Sequence, residues 1–159
     1  IFDFYQFWLN QSDQAVEYLL KVYTTLEKPE VDAILAEQAE HPERRAAQKA
    51  LAFGATTVVH GTEAAEAVAG LTERLFGGAL DELAEDEIAE FGEFLACAPK
   101  GSKLFDALVA TGLTVSKGEA RKLAAAGAIT VNGTKVTEDV AIEQVALLKR
   151  GKNKFAVVK

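Results

Sequence analysis

Residues 115–136 read VSKGEARKLAAAGAITVNGTKV, and this stretch restricts the fold more than any other part of the chain. Ser116 stands three residues before Glu119, the Ser-x-x-Glu spacing of an N-terminal capping box. The helix it opens is expected to end at Gly127, because glycine accepts the left-handed backbone of a helix stop. Ile129-Thr130-Val131 then has the composition of a short strand, Asn132-Gly133 signals a type I′ two-residue turn, and Lys135-Val136 reads as the return strand. A second helix is predicted over 103–111, with Leu104 and Leu108 inward and Gly112 as its stop. Residues 146–150 and 154–158 read as a second hairpin around Gly151-Lys152-Asn153. The expected unit is α+β, two helices against a small and mainly antiparallel sheet.

Upstream the apolar pattern is helical throughout. Phe4, Phe7 and Trp8 share one face of a first helix, and Ser12 or Asp13 can cap a second with Val16, Leu19, Leu20 and Tyr23 along one stripe. Pro29 suits the first turn of a third helix carrying Val31, Ile34 and Leu35. Pro42 is expected to open a fourth that runs through Leu51 and Val58 to Gly61. Thr62 begins a fifth that ends at Gly77-Gly78, and a shorter sixth covers 85–91. The predicted organisation is therefore an α-helical domain over 1–98 and a small α+β domain over 99–159, joined at Pro99-Lys100-Gly101-Ser102.

Charge supports a division at that point. The formal net charge is −7, yet residues 1–98 hold 6 Lys+Arg against 19 Asp+Glu, while residues 99–159 hold 11 against 5. Balances of −13 and +6 suggest different partners for the two halves. No apolar run approaches the roughly 18–20 residues that cross a bilayer, so no membrane partner is expected. The aromatic opening IFDFYQFWLN lacks the basic region of a signal peptide, and a start at Ile1 without methionine reads as part of a longer protein. Cys97, the only cysteine, precludes an intrachain disulfide and fits a reducing, cytoplasmic setting. His41 and His60 with one cysteine are too few for a zinc site, so no metal is expected and both histidines read as structural. The acidic residues of the first half are expected mostly on solvated helix faces, with no catalytic pair among them.

The capped helix presents two unlike sides at about 100° per residue. Ala120, Leu123, Ala124 and Gly127 turn toward the sheet; Gly118 and Ala125 centre the outer side, with Arg121 and Lys122 flanking and Lys117 at its edge. Small residues at the centre let a sugar–phosphate backbone approach while the cations reach its oxygens. The backbone N–H groups at Ser116 also favour an anion. Lys135, Lys149, Arg150 and Lys152 are expected to extend the same positive surface. From charge alone the pattern fits a solvated helix face as well as a phosphate-binding one.

The string S-K-G-E-A-R-K-L…G-A-I-T-V-N-G-T-K-V, within about residues 102–159, resembles the RNA-binding domain named after the fourth protein of the small ribosomal subunit. FYQFWLN at 4–10, PERRAAQKALA at 42–52, VVHG at 58–61 and LFGG at 75–78 resemble the helical domain that follows the catalytic core of bacterial-type tyrosyl-tRNA synthetases. Together these resemblances cover nearly the whole chain, in order, and imply the C-terminal portion of such an enzyme. They imply a helical anticodon-recognition domain and a module that binds tyrosine tRNA, including its long variable arm. ATP and magnesium would serve a catalytic domain absent from this chain. Neither a His-x-Gly-His signature nor a Lys-Met-Ser-Lys-Ser-like loop occurs, so the chain is expected to carry no catalytic residue and no cofactor. Carried over by position, Ser116, Lys117, Arg121 and Lys122 match the RNA-binding helix. Asn132, Gly133 and Lys135 match the hairpin, and Lys149, Arg150 and Lys152 match a basic segment near the family's C-terminus. The resemblance further implies a monomeric fragment of a homodimeric parent. Two other readings stay open: a stand-alone protein associated with ribosomal RNA, and a protein-interaction module whose acidic half binds a basic partner.

Overall fold

A computed structural model of the chain describes residues 1–78 and 80–159, and its contacts divide the chain into two compact units, Ile1–Glu73 and Arg74–Lys159.

The first unit is helical: α1 Phe2–Leu9, α2 Asp13–Tyr23, α3 Lys28–Glu40, α4 Ala46–His60 and most of α5 Thr62–Phe76. Helix α4 is the hub, packing against α1, α2 and α3. Val16, Leu20, Val31, Ala47 and Leu51 form a core at the junction of α2, α3 and α4, flanked by Trp8, Leu19, Ile34 and Leu35. Gly54 permits the closest approach, since a Cβ there would lie 2.7 Å from Thr24 Cγ2. Pro42 does not open α4 as its position suggests. It starts a single 3-10 turn, Pro42–Arg44, and Arg45 in the left-handed region (φ 54°) breaks the path before Ala46. Asp13 works across the fold rather than as a cap: its Oδ1 accepts from the buried Gln48 Nε2 at 2.6 Å. Burial pushes the Tyr5 phenol above its ordinary pKa, and the Glu73 carboxylate adds to the effect.

The second unit holds α6 Glu85–Phe91, β1 Cys97–Ala98, α7 Leu104–Ala110, α8 Lys117–Ala125, β2 Ile129–Val131, β3 Thr134–Lys135, β4 Ala146–Arg150 and β5 Lys154–Val158. The five strands run in the order β1-β5-β4-β2-β3, antiparallel except for the β1–β5 pair. Alternation along the strands gives the sheet two faces. Ile129, Ala146, Leu148, Ala156 and Val158 pack with Leu104, Phe105 and Leu108 of α7 and with Ala120 and Ala124 of α8. Helix α6 packs against β4 and β5, burying Ile88 and Phe91.

The expected α+β architecture is thus present, with a strand and a helix added. The packing boundary lies 25 residues before the change in charge, because α6 and β1 associate with the sheet. Counted by packing, residues 74–159 carry 12 Lys+Arg and 12 Asp+Glu, so this unit is neutral overall. Any affinity for an anion must come from local segregation of charge. The return strand also begins one residue earlier than expected, at Thr134.

Candidate nucleic-acid interface

Helix α8 is fixed by its first turn. Ser116, extended at the N-cap, accepts a hydrogen bond from the Glu119 backbone N–H at 3.2 Å. Glu119 reaches back one residue further than a standard capping box, its Oε2 accepting from Val115 N–H at 2.8 Å. Its other oxygen, Oε1, accepts from Arg150 Nη2 at 2.9 Å, while Arg150 Nη1 donates to the Leu113 carbonyl. One carboxylate thereby ties the start of α8 to the end of β4. Ala120 and Ala124 are buried, and Arg121, Lys122, Gly118 and Ala125 lie exposed on the outer side.

The ten candidate residues do not form one surface. Lys117 is ion-paired with Asp106 at 2.6 Å, and that hydrogen bond and charge raise its ammonium pKa. Arg150, turned to the helix-bearing face and committed to Glu119 and Leu113, serves as an internal strut. Asn132 and Gly133 both have positive φ, as a type I′ turn requires, and Asn132 Oδ1 accepts from Leu147 N–H at 2.7 Å. Asn132 therefore splices the hairpin to β4. Lys152 sits exposed in the β4–β5 turn.

Lys135 and Lys149 lie on the opposite face of the sheet from α8. The register pairs Lys135 with Thr130, Thr130 with Lys149, and Lys149 with Phe155, making a row across four strands. Lys149 Nζ stands 5.3 Å from the centroid of the Phe155 ring. The row opens on a cleft of about 380 Å³ that is also lined by Gly78, Leu80, Asp81, Gly127, Gly133 and Gly151. Thr130, Gly78, Leu80 and Asp81 are functional candidates that sequence reasoning missed. The two-residue turn already implied that Thr130 faces Lys135; the partnership with Lys149 had no local signal.

The assignments for Arg150 and Lys152 separate in a stability measurement. Arg150→Ala is expected to cost about 1–2 kcal/mol, because it strips a half-buried carboxylate and a carbonyl of their donor. Lys152→Ala should stay within about 0.5 kcal/mol in the same urea titration. Equal, negligible losses would refute the strut.

Comparison with known proteins identifies the setting of this geometry. Residues 1–77 match the family described as tRNA synthetases class I (W and Y), which sets the first unit among class I synthetases. Residues 93–158 match the Tyrosine--tRNA ligase SYY-like C-terminal domain. The tyrosine--tRNA ligase of Staphylococcus epidermidis is 34% identical over 168 residues, and that of Geobacillus kaustophilus 37% identical over 169; each alignment covers 99% of this chain and 40% of the relative. A C-terminally truncated Aspergillus nidulans mitochondrial tyrosyl-tRNA synthetase is 43% identical over 47% of this chain and 22% of its own, with a TM-score of 0.46. The chain belongs to the tyrosyl-tRNA synthetase family and corresponds to its C-terminal region. It spans about 40% of the length of these curated relatives.

Proposed function

We propose that the chain is the tRNA-binding portion of a tyrosine–tRNA ligase, holding tyrosine tRNA for ATP-dependent aminoacylation at a nucleotide-binding domain outside these residues. The exposed pair Arg121 and Lys122 carries this reading, on a helix whose outer centre is Gly118 and Ala125 and whose inner side is locked to the sheet. The Arg121 guanidinium suits two oxygens of one phosphate, and the Lys122 ammonium adds a mobile point charge. Ser116 and Lys117 flank the helix N-terminus, where free backbone N–H groups favour an anion. Residues 1–73 carry 5 Lys+Arg against 12 Asp+Glu, so a few base contacts to the anticodon suit that unit better than broad phosphate contact. ATP and magnesium belong in this reading to the parent's catalytic domain. Among the described residues no group of three or more His, Cys, Asp or Glu is arranged to hold a metal ion, and no step of the reaction is assigned to them. The protein would work in the cytoplasm, as a monomer when isolated and a homodimer in the parent.

Competition tests the reading. Unlabelled tyrosine tRNA should displace labelled tyrosine tRNA from the chain about tenfold better than bulk tRNA does. Equal displacement would favour a generic binder of structured RNA, such as a ribosomal-RNA protein. Sedimentation of the free chain at low micromolar concentration should give the 17.0 kDa of one copy, and a stable dimer would contradict the monomer.

A further inference from the structure

The cleft on the sheet face away from α8 has an acidic rim, and a segment outside the hairpin supplies it. Leu80 is buried, and the backbone beside it is laid against the β2–β3 turn. A Cβ on Gly133 would stand 3.2 Å from the Asp81 backbone nitrogen and 3.5 Å from the Asp81 Cβ, so a side chain at the turn would push the two segments apart. Asp81 is thereby placed in the lining that also holds Lys135 and Lys149. Among the described residues no salt bridge engages either lysine, so Asp81 neutralises neither by contact. Its charge acts through space, beside protein walls where water screens less than in bulk. The acid does not stand alone: Glu82, Glu85 and Asp86 follow it, and all four are exposed. Among the described residues of this run only Glu87 meets a cation, Arg74. The unit as a whole balances 12 Lys+Arg against 12 Asp+Glu, so the placement of its acids decides where a polyanion can lie.

We infer that the acidic segment led by Asp81 is an autoinhibitory fence, which lowers the affinity of the hairpin lysines for polyanions and closes one side of the cleft to an RNA strand. The inference rests on the RNA-binding reading above and adds a repulsive element to it. A strand drawn to Lys135 and Lys149 is repelled on the Asp81 side and must leave past Gly127 and Gly151, which carry neither side chain nor charge. The hairpin is thereby kept from gathering non-cognate polyanions, and an RNA must be held elsewhere on the chain as well to overcome the repulsion.

The test makes equal changes of charge at two places in the whole chain. Binding of a labelled short oligouridylate is read by fluorescence anisotropy at about 0.1 M salt, where exposed charges more than about 10 Å apart are largely screened. Asp81→Asn with Glu82→Gln should tighten binding about fivefold. Glu90→Gln with Glu93→Gln removes the same charge beside Gly92, which abuts Cys97 of β1, at the opposite edge of the sheet from the hairpin. That variant should tighten binding less than about twofold. The gain at Asp81 and Glu82 should also fall below about twofold when Lys135→Gln and Lys149→Gln are present, because the fence acts on what those two cations attract. Equal gains at the two places would reveal an effect of bulk charge and overturn the fence. No gain at Asp81 and Glu82 overturns it too, as does a gain that persists in full without the two lysines. The oligouridylate result does not depend on tRNA identity. Loss of tyrosine-tRNA preference in the competition assay therefore rejects the tRNA reading and leaves the fence standing, whereas intact preference without the local gain rejects the fence alone.

Discussion

Replacing Arg121 and Lys122 together by alanine should lower affinity for tyrosine tRNA by about ten- to a hundredfold at low salt, the largest binding effect expected from any pair on the outer side of α8. The unit they stand on is neutral, so no excess of distant cations is available to compensate. Each lost phosphate contact also removes a released counterion. The slope of log K against log salt should therefore flatten by slightly less than two units. Lys117→Ala should do less, because that ammonium is engaged by Asp106 and must exchange one anion for another. Alanine favours the helix at both positions, so the fold gives no reason for a loss. Filter binding across a salt series measures both quantities. An unchanged slope in the double variant would remove the outer side of α8 from the interface.

Leu108→Ala should cost about 3 kcal/mol, the largest single loss of stability anticipated in the second unit. Leu108 is fully buried, and with Leu104 one turn earlier it fills the space between α7 and the sheet. Truncation removes most of its apolar area and leaves a void that the sheet, pinned by backbone hydrogen bonds, cannot close. For a unit of this size the loss corresponds to a fall in midpoint on the order of 15 °C. Leu108→Met, which conserves volume, should lose less than about 1.5 kcal/mol. Urea unfolding followed by far-UV circular dichroism separates the two; a loss below about 1 kcal/mol for the alanine variant would mean that this layer is not the core.

What the sequence disclosed was what depends on neighbours within a few residues. The Ser116 cap, the Gly127 stop and the Asn132-Gly133 turn all stand where their chemistry places them, since each acts within one turn of backbone. Distant partners were hidden. Arg150 looked like a free cation because its carboxylate, Glu119, lies 31 residues away. The N-terminus of α7 lacks a cap of its own, and Asp139 Oδ1, 34 residues on, accepts from Phe105 N–H at 2.8 Å. Strand β1, with two residues, has no periodicity to detect. Charge misled where composition was counted along the chain, because the acidic run 81–93 packs with the basic unit that follows it. The candidate site was accordingly half legible: the outer side of α8 followed from helical angles, but the division of the cations between two faces required the register of β4.

The bridging role of Glu119 bears on how a complex would form. The Val115 N–H fixes one oxygen within the first turn and Arg150 of β4 holds the other, so α8 cannot rotate about its axis or slide along the sheet without breaking the bond to Arg150. Arg121 and Lys122 are thus carried on a rigid mount, and ordering the protein backbone adds little to the entropy lost on association. In the proposed complex the conformational adjustment would fall to the RNA, whose backbone would conform to a spacing the protein has already fixed.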